Sequence, residues 1–192
     1  SQTYHGKIVP NYNTDTIYNK AGVDVNQYSA EFNNMGSYTS SVDKTADEYG
    51  VYNNLDYVIG DMVISAGVRY DDNSMHGSQS TYRVGSSYSL SDSWNVFGSV
   101  ATGYKNPTMY EMFGADSFGY SGNADLNPET SFNKEVGLNY KKNMTSFSAT
   151  VYDTDIKDLI TYSGSTYINN TTNTSTMEGA EATLKFKVGD FM

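Results

Sequence analysis

The strand-like segments of this chain are joined by connections whose lengths alternate. After Ile59, Leu90, Tyr140 and Val188 the connections are short: Gly60-Asp61, Ser91-Asp92-Ser93, Lys141-Lys142-Asn143 and Gly189-Asp190. After Tyr70, Gly103 and Asp153 they are long, and the stretch between the strand ends at about 104–130 is the longest. A compact soluble domain seldom carries a structureless loop of that length. A soluble sandwich has no reason to sort loops by parity. Short turns on one rim and long loops on the other are what an outer-membrane β-barrel requires.

The strands themselves are legible from period-two alternation. Tyr49, Val51, Leu55, Tyr57 and Ile59 fall on one face of residues 48–59, with Glu48, Gly50, Asn54 and Asp56 on the other. After Gly60-Asp61 the return arm groups Met62, Ile64, Ala66, Val68 and Tyr70 against Ser65, Gly67 and Arg69. Two alternating arms joined by a short Gly-Asp turn predict a β-hairpin. The pattern recurs at Tyr82, Val84, Tyr88 and Leu90, at Val136, Leu138 and Tyr140, and at Ala180, Ala182, Leu184, Phe186 and Val188. No segment sustains an apolar stripe at helical spacing, so no helix is expected.

Composition agrees with pleated, half-buried surfaces. There are 18 tyrosines, whereas Leu and Ile are scarce, and a soluble core of this size would draw more on Leu, Ile and Val. Tyr57, Tyr70, Tyr140 and Trp94 stand at strand ends, where the aromatic girdles of a membrane barrel lie. The longest apolar run, Met62–Val68, is too short for a membrane-spanning helix. The expected fold is therefore all-β: an antiparallel transmembrane β-barrel, present as a partial barrel of roughly eight to ten strands. A solvent-facing sandwich remains the alternative for any single strand.

Charge and chemistry exclude other classes. The net charge of -10 repels phosphate backbones, so no nucleic-acid partner is expected. With no cysteine, neither a disulfide framework nor a thiolate metal site can form. The two histidines, His5 and His76, offer no relay for catalysis, and His76 lies in a polar loop; an enzyme is not expected. Asp71 and Asp72, with Asn73, are weak calcium candidates, because they lack the graded spacing of a calcium loop. Asp153, Asp155 and Asp158 are equally ambiguous. No metal and no cofactor is expected. Binding is the better reading: the long loop carries Tyr104, Tyr110, Met112, Phe113, Phe118 and Tyr120. Such side chains serve a ligand or pack among themselves, and the two uses can coexist.

Four motifs, in order, carry a resemblance. They are Ala66–Ser74, then Tyr104-Lys105-Asn106-Pro107-Thr108, then Asn123 with Leu126, Pro128 and Glu129, and last the stretch from Val151 through Asp153 to the strand start at Gly179 and Glu181. Over residues 48–189 this order resembles the C-terminal barrel portion of TonB-dependent outer-membrane receptors, with the cobalamin and siderophore branch as the nearest likeness. The resemblance implies a bacterial outer-membrane location and active uptake of a scarce ligand such as cobalamin, a ferric siderophore or haem. It also implies outer-membrane lipid around the barrel and TonB as a partner through a plug domain. Nothing in residues 1–192 resembles that plug or the coupling segment before it, so the whole stretch is expected to be part of one barrel domain. The alternatives are a surface-exposed β-rich binding module or adhesin, and a passive porin-like barrel.

Overall fold

A computed structural model describes residues 3–32 and 42–186. Its main element is a ten-stranded antiparallel sheet. In chain order the strands are β1 (Thr3–Ile8), β2 (Asn11–Asn13), β3 (Ile17–Phe32), β4 (Val42–Ile59), β5 (Met62–Asn73), β6 (Gly77–Ser89) and β7 (Trp94–Lys105). A short helix α1 (Met109–Phe113) follows, then β8 (Glu129–Lys142), β9 (Thr145–Lys157), β10 (Leu159–Ser163), β11 (Thr166–Asn170) and β12 (Ser175–Phe186). Each strand from β3 to β9 pairs with the next, β12 closes onto β9, and β10 and β11 form a separate hairpin. Among the described residues β1 and β12 are the edges of an open, partial barrel wall.

The wall has almost no core. Along the Tyr57–Ile64–Ser86–Gly98–Val136–Val151 row, and the rows beside it, apolar side chains point to one face and stay exposed. Val68 is 62% and Val136 56% accessible, which for a sheet of this kind marks the lipid side. The opposite face is polar and internally bonded. Arg69 donates through Nη1 to Asp24 at 2.6 Å and through Nε to Asp71 at 2.8 Å, and Asp71 is only 2% exposed. Arg83 and Ser99 both donate to Glu135, at 3.2 and 2.6 Å. At Gly179 the Tyr152 ring from the neighbouring strand occupies the space where a Cβ would stand, and Tyr52 covers Gly22 in the same way. The glycine of the Gly-x-Glu element is thus a seat for a ring.

Several expectations change. Residues 3–32 form strands that the sequence reading did not mark. The connection after Tyr70 is short, because β5 continues to Asn73 and β6 resumes at Gly77. Asn73 makes that possible by accepting the backbone N–H groups of Met75 (2.9 Å) and His76 (3.2 Å). The polar run after Asp153 contains the β10–β11 hairpin. A helix does exist, if only of one turn, and its capping box of Thr108 and Glu111 is a local sequence signal. The Gly189-Asp190 turn lies outside the described residues. Apart from the short 74–76 turn, which lies on the side of the long loops, long and short connections sort by rim. Turns at 60–61, 90–93 and 143–144 share one side, and the connections at 106–128 and 158–174 share the other.

Candidate functional site: two external loops locked together

The long connection is an ordered unit. Its base is the β7–β8 ladder, which runs to Lys105↔Glu129, and Pro107 and Pro128 stand just beyond it. Proline cannot donate to a ladder, so these two residues set its end. Thr108 then starts α1: its hydroxyl accepts the Glu111 N–H at 3.2 Å, while the Glu111 carboxylate accepts the Thr108 N–H at 2.7 Å. Gly114 ends the turn, and Asp116 shapes the tip by accepting the N–H groups of Phe118 (2.8 Å) and Tyr120 (3.0 Å). Gly119 follows with φ +99°, a conformation that excludes most side chains.

Behind the tip the loop has its own small core. Tyr120 is 6% exposed, stacks on Tyr110 at a centroid distance of 5.0 Å and donates its hydroxyl to the Tyr110 carbonyl at 2.7 Å. Burial pushes its phenol up to about 12. Met112 and Leu126 of the same loop are buried as well. Tyr162 and Tyr167, from the β10–β11 hairpin, meet the Tyr120 ring at 6.1 and 5.9 Å.

Polar bonds fasten the two loops along their length. Ser121 N–H donates to the Ser165 carbonyl at 2.9 Å, and Asn123 Nδ2 to the Tyr167 carbonyl at 2.9 Å. Asn169 accepts the Asn127 N–H at 2.8 Å and donates back to the carbonyls of Asn127 and Asp158 at 2.9 and 2.7 Å. Glu129, nearly buried, accepts from Lys105 at 3.2 Å and from the Ile160 N–H at 2.9 Å. Asn123, Leu126 and Glu129 therefore hold the platform in shape.

The six loop candidates divide. Tyr110, Met112 and Tyr120 are spent on packing. Phe113 lies under the Lys44 ammonium at 5.3 Å, tying the loop to β4. Tyr104 is a strand residue whose partner is Asp71 on the inner face. Phe118 alone projects, at 84% exposure, and Tyr162, which the sequence reading did not single out, joins it at 57%. The remaining candidates separate in space. Asp71 and Asp72 point to opposite faces of β5 and do not converge on an ion. Asp153 and Asp155 both turn to Lys134, at 3.2 and 3.5 Å. His76 is half-buried in its turn, and desolvation holds its imidazole below the ordinary value. Among the described residues no group of His, Asp and Glu is placed to hold a metal.

Known proteins resemble this chain in sequence and fold. The model of the TonB dependent receptor-like β-barrel family matches residues 2–191. Vitamin B12 transporter BtuB of Photobacterium profundum is 28% identical over 167 residues, covering 79% of this chain and 27% of that protein. Probable TonB-dependent siderophore receptor PirA of Acinetobacter baumannii is 32% identical over 140 residues, covering 64% and 18%. The crystal structure of siderophore receptor PirA from Pseudomonas aeruginosa superposes with a TM-score of 0.80 at 21% identity, over 95% of this chain and 36% of that one. These relatives are named transporters and receptors. The chain spans about a quarter of the length of the BtuB protein that it matches.

Proposed function

The chain belongs to the TonB dependent receptor-like β-barrel family, and from that premise we propose that its 192 residues are one stretch of the wall and loops of an energy-coupled uptake receptor. As part of such a barrel it lies in the bacterial outer membrane. The cargo is a scarce ligand of the class the relatives' names describe, cobalamin or a ferric siderophore, with haem as a further member. External loops capture it, and TonB drives its release through a plug domain seated against the polar inner face. Outer-membrane lipid contacts the apolar outer face. The chain itself performs no covalent chemistry.

The observation that carries this reading is the locked pair of external loops. A preformed platform loses little conformational freedom when a ligand arrives. Its interior aromatics are already committed, so capture falls to the projecting Phe118 and Tyr162. The test is uptake by cells that make the full-length receptor, supplied separately with labelled cyanocobalamin, ferric siderophores and haemin, with and without TonB. One ligand should accumulate only when TonB is present, and Phe118→Ala should weaken its binding about tenfold while the barrel stays folded. Accumulation of many small solutes regardless of TonB would favour the porin reading instead.

A further inference from the structure

The barrel wall has a split. The β6–β7 ladder stops at Arg83↔Ala101. On either side the sheet continues: β5–β6 to Asn73↔Gly77 and β7–β8 to Lys105↔Glu129. The last link across the split is a side chain, since Tyr82 N–H donates to Thr102 Oγ1 at 2.9 Å and that hydroxyl reaches back to the Tyr82 carbonyl at 3.5 Å. Beyond it, residues 77–82 of β6 and 102–105 of β7 have strand partners on one side only. Backbone donors and acceptors there face an opening.

Tyr104 lines that opening. The pairings Tyr104↔Thr130 and Thr130↔Lys157 put these residues in one outward row. The Tyr104 phenol leaves that row and turns toward the Asp71 carboxylate on the inner face. A cavity of about 390 Å³ lies at the split, lined by Tyr104 together with Ser80, Thr102, Thr130, Phe132, Asp155 and Lys157. That volume is in the range of small-molecule sites.

The height and chemistry of the cavity specify an occupant. Val136↔Val151 is the last apolar pair of the β8–β9 outer face, and Thr130↔Lys157 lies six residues farther along. At the rise of a strand this is about 20 Å along β8, or about 15 Å along the membrane normal for a tilted barrel strand, above the apolar band and level with polar headgroups. Hydroxyls and strand-edge backbone groups suit an occupant with many hydroxyls, and an aromatic ring offers a face to a sugar's C–H groups. Asp155 has its charge engaged by Lys134, whereas no ion pair of Lys157 occurs among the described residues. The free positive charge is thus at the cavity's edge in a chain of net charge -10.

We propose that this split binds an anionic saccharide, a sugar bearing a phosphate or carboxylate, with its hydroxyls on Ser80, Thr102 and Thr130 and its anion on Lys157. The ligand comes from a glycolipid headgroup of the outer leaflet or from a soluble saccharide. The residues named for it stand in outward rows, so the site can fail while the uptake reading stands.

The test uses the full-length receptor in detergent micelles, cleared of any cysteine outside this cysteine-free chain, with Ser80→Cys as a reporter. Its maleimide labelling rate is measured with rough-type lipopolysaccharide, with the soluble deacylated sugar-phosphate backbone of that glycolipid, and with phosphatidylglycerol. Labelling should slow at least tenfold with both sugar probes and stay unchanged with phosphatidylglycerol. Tighter protection by the intact glycolipid assigns the membrane as source, and equal protection assigns a soluble saccharide. On the receptor without the cysteine, calorimetry with the deacylated backbone should show binding that Lys157→Gln weakens about tenfold. No protection by the deacylated backbone, equal protection by phosphatidylglycerol, or binding indifferent to Lys157→Gln would overturn the proposal. Retained nutrient binding by the Ser80→Cys and Lys157→Gln receptors shows that they are folded.

Discussion

Tyrosine does opposite work in the wall and in the external loops. On the wall, Tyr49, Tyr57, Tyr70, Tyr82 and Tyr88 stand outward and remain exposed on a surface meant for lipid and its interface. In the long loop Tyr120 is almost wholly enclosed. Of the four buried hydrophobic residues among those described, Ala46, Met112, Tyr120 and Leu126, three belong to the loop. The wall is held by its backbone ladder, with lipid supplying the environment for its outer face. The loop, exposed to water, holds its shape as a miniature soluble core. The two regions should therefore respond to opposite kinds of substitution.

The largest expected effect is in the loop. Tyr120→Ala removes its central ring and should cost about 3–5 kcal/mol of local stability. Hydrogen exchange should accelerate through residues 106–128 and in the β10–β11 hairpin, with the wall strands unchanged. Equal acceleration in the wall would break the distinction. Next comes the wall itself: Val84→Arg puts a charge on the lipid face between the outward Tyr82 and Tyr88 and should destabilise by about 2–4 kcal/mol in urea unfolding from lipid vesicles. The loop's exchange pattern should survive wherever the barrel remains folded.

Glu129 sits where the regions join. Glu129→Ala leaves the Ile160 N–H and the Lys105 ammonium without their acceptor, at a cost of about 1–3 kcal/mol. Exchange at Ile160 should rise more than exchange in the Tyr110–Tyr120 stack. The smallest change is Tyr120→Phe, which loses one hydrogen bond and about 0.5–1.5 kcal/mol. It also makes a pH prediction. Because the folded phenol is raised to about 12, its contribution is full below pH 10 and is lost as pH climbs toward 12. Loop exchange measured against pH should show that loss in the native receptor and not in Tyr120→Phe.

The sequence was most informative where burial alternates strictly. Val51, Leu55, Tyr57 and Ile59 announce β4 because each second residue meets a different medium. The β3 segment Ala21–Tyr28 alternates as well, but its inward Asp24 and Asn26 and outward Gln27 blur the contrast. Its strand identity comes from pairing with both β1 and β4. The β10–β11 hairpin has no such signal: Thr161, Ser163, Asn169 and Asn170 resemble loop residues, and the hairpin's place depends on Asn123 and Asn127 reaching it. Thr108 and Glu111 were readable as a capping box, yet five residues are too few for a helical stripe. Which loop aromatics project was not readable, since nothing local distinguishes Phe118 from Tyr120 except the turn that Asp116 and Gly119 impose between them.

By itself the sequence determined the class of fold and the two rims, because alternation and the sorting of turn lengths are local properties of a strand crossing two media. It also fixed the ends of the long loop, since Pro107 and Pro128 cannot donate to a ladder. Only the tertiary structure decided which aromatics are spent and which are free, and where the wall opens. Those outcomes depend on partners distant in the chain: Tyr120 with Tyr162 and Tyr167, Tyr104 with Asp71, and Thr102 with Tyr82. Their side chains compete for space only after the strands have been brought into register.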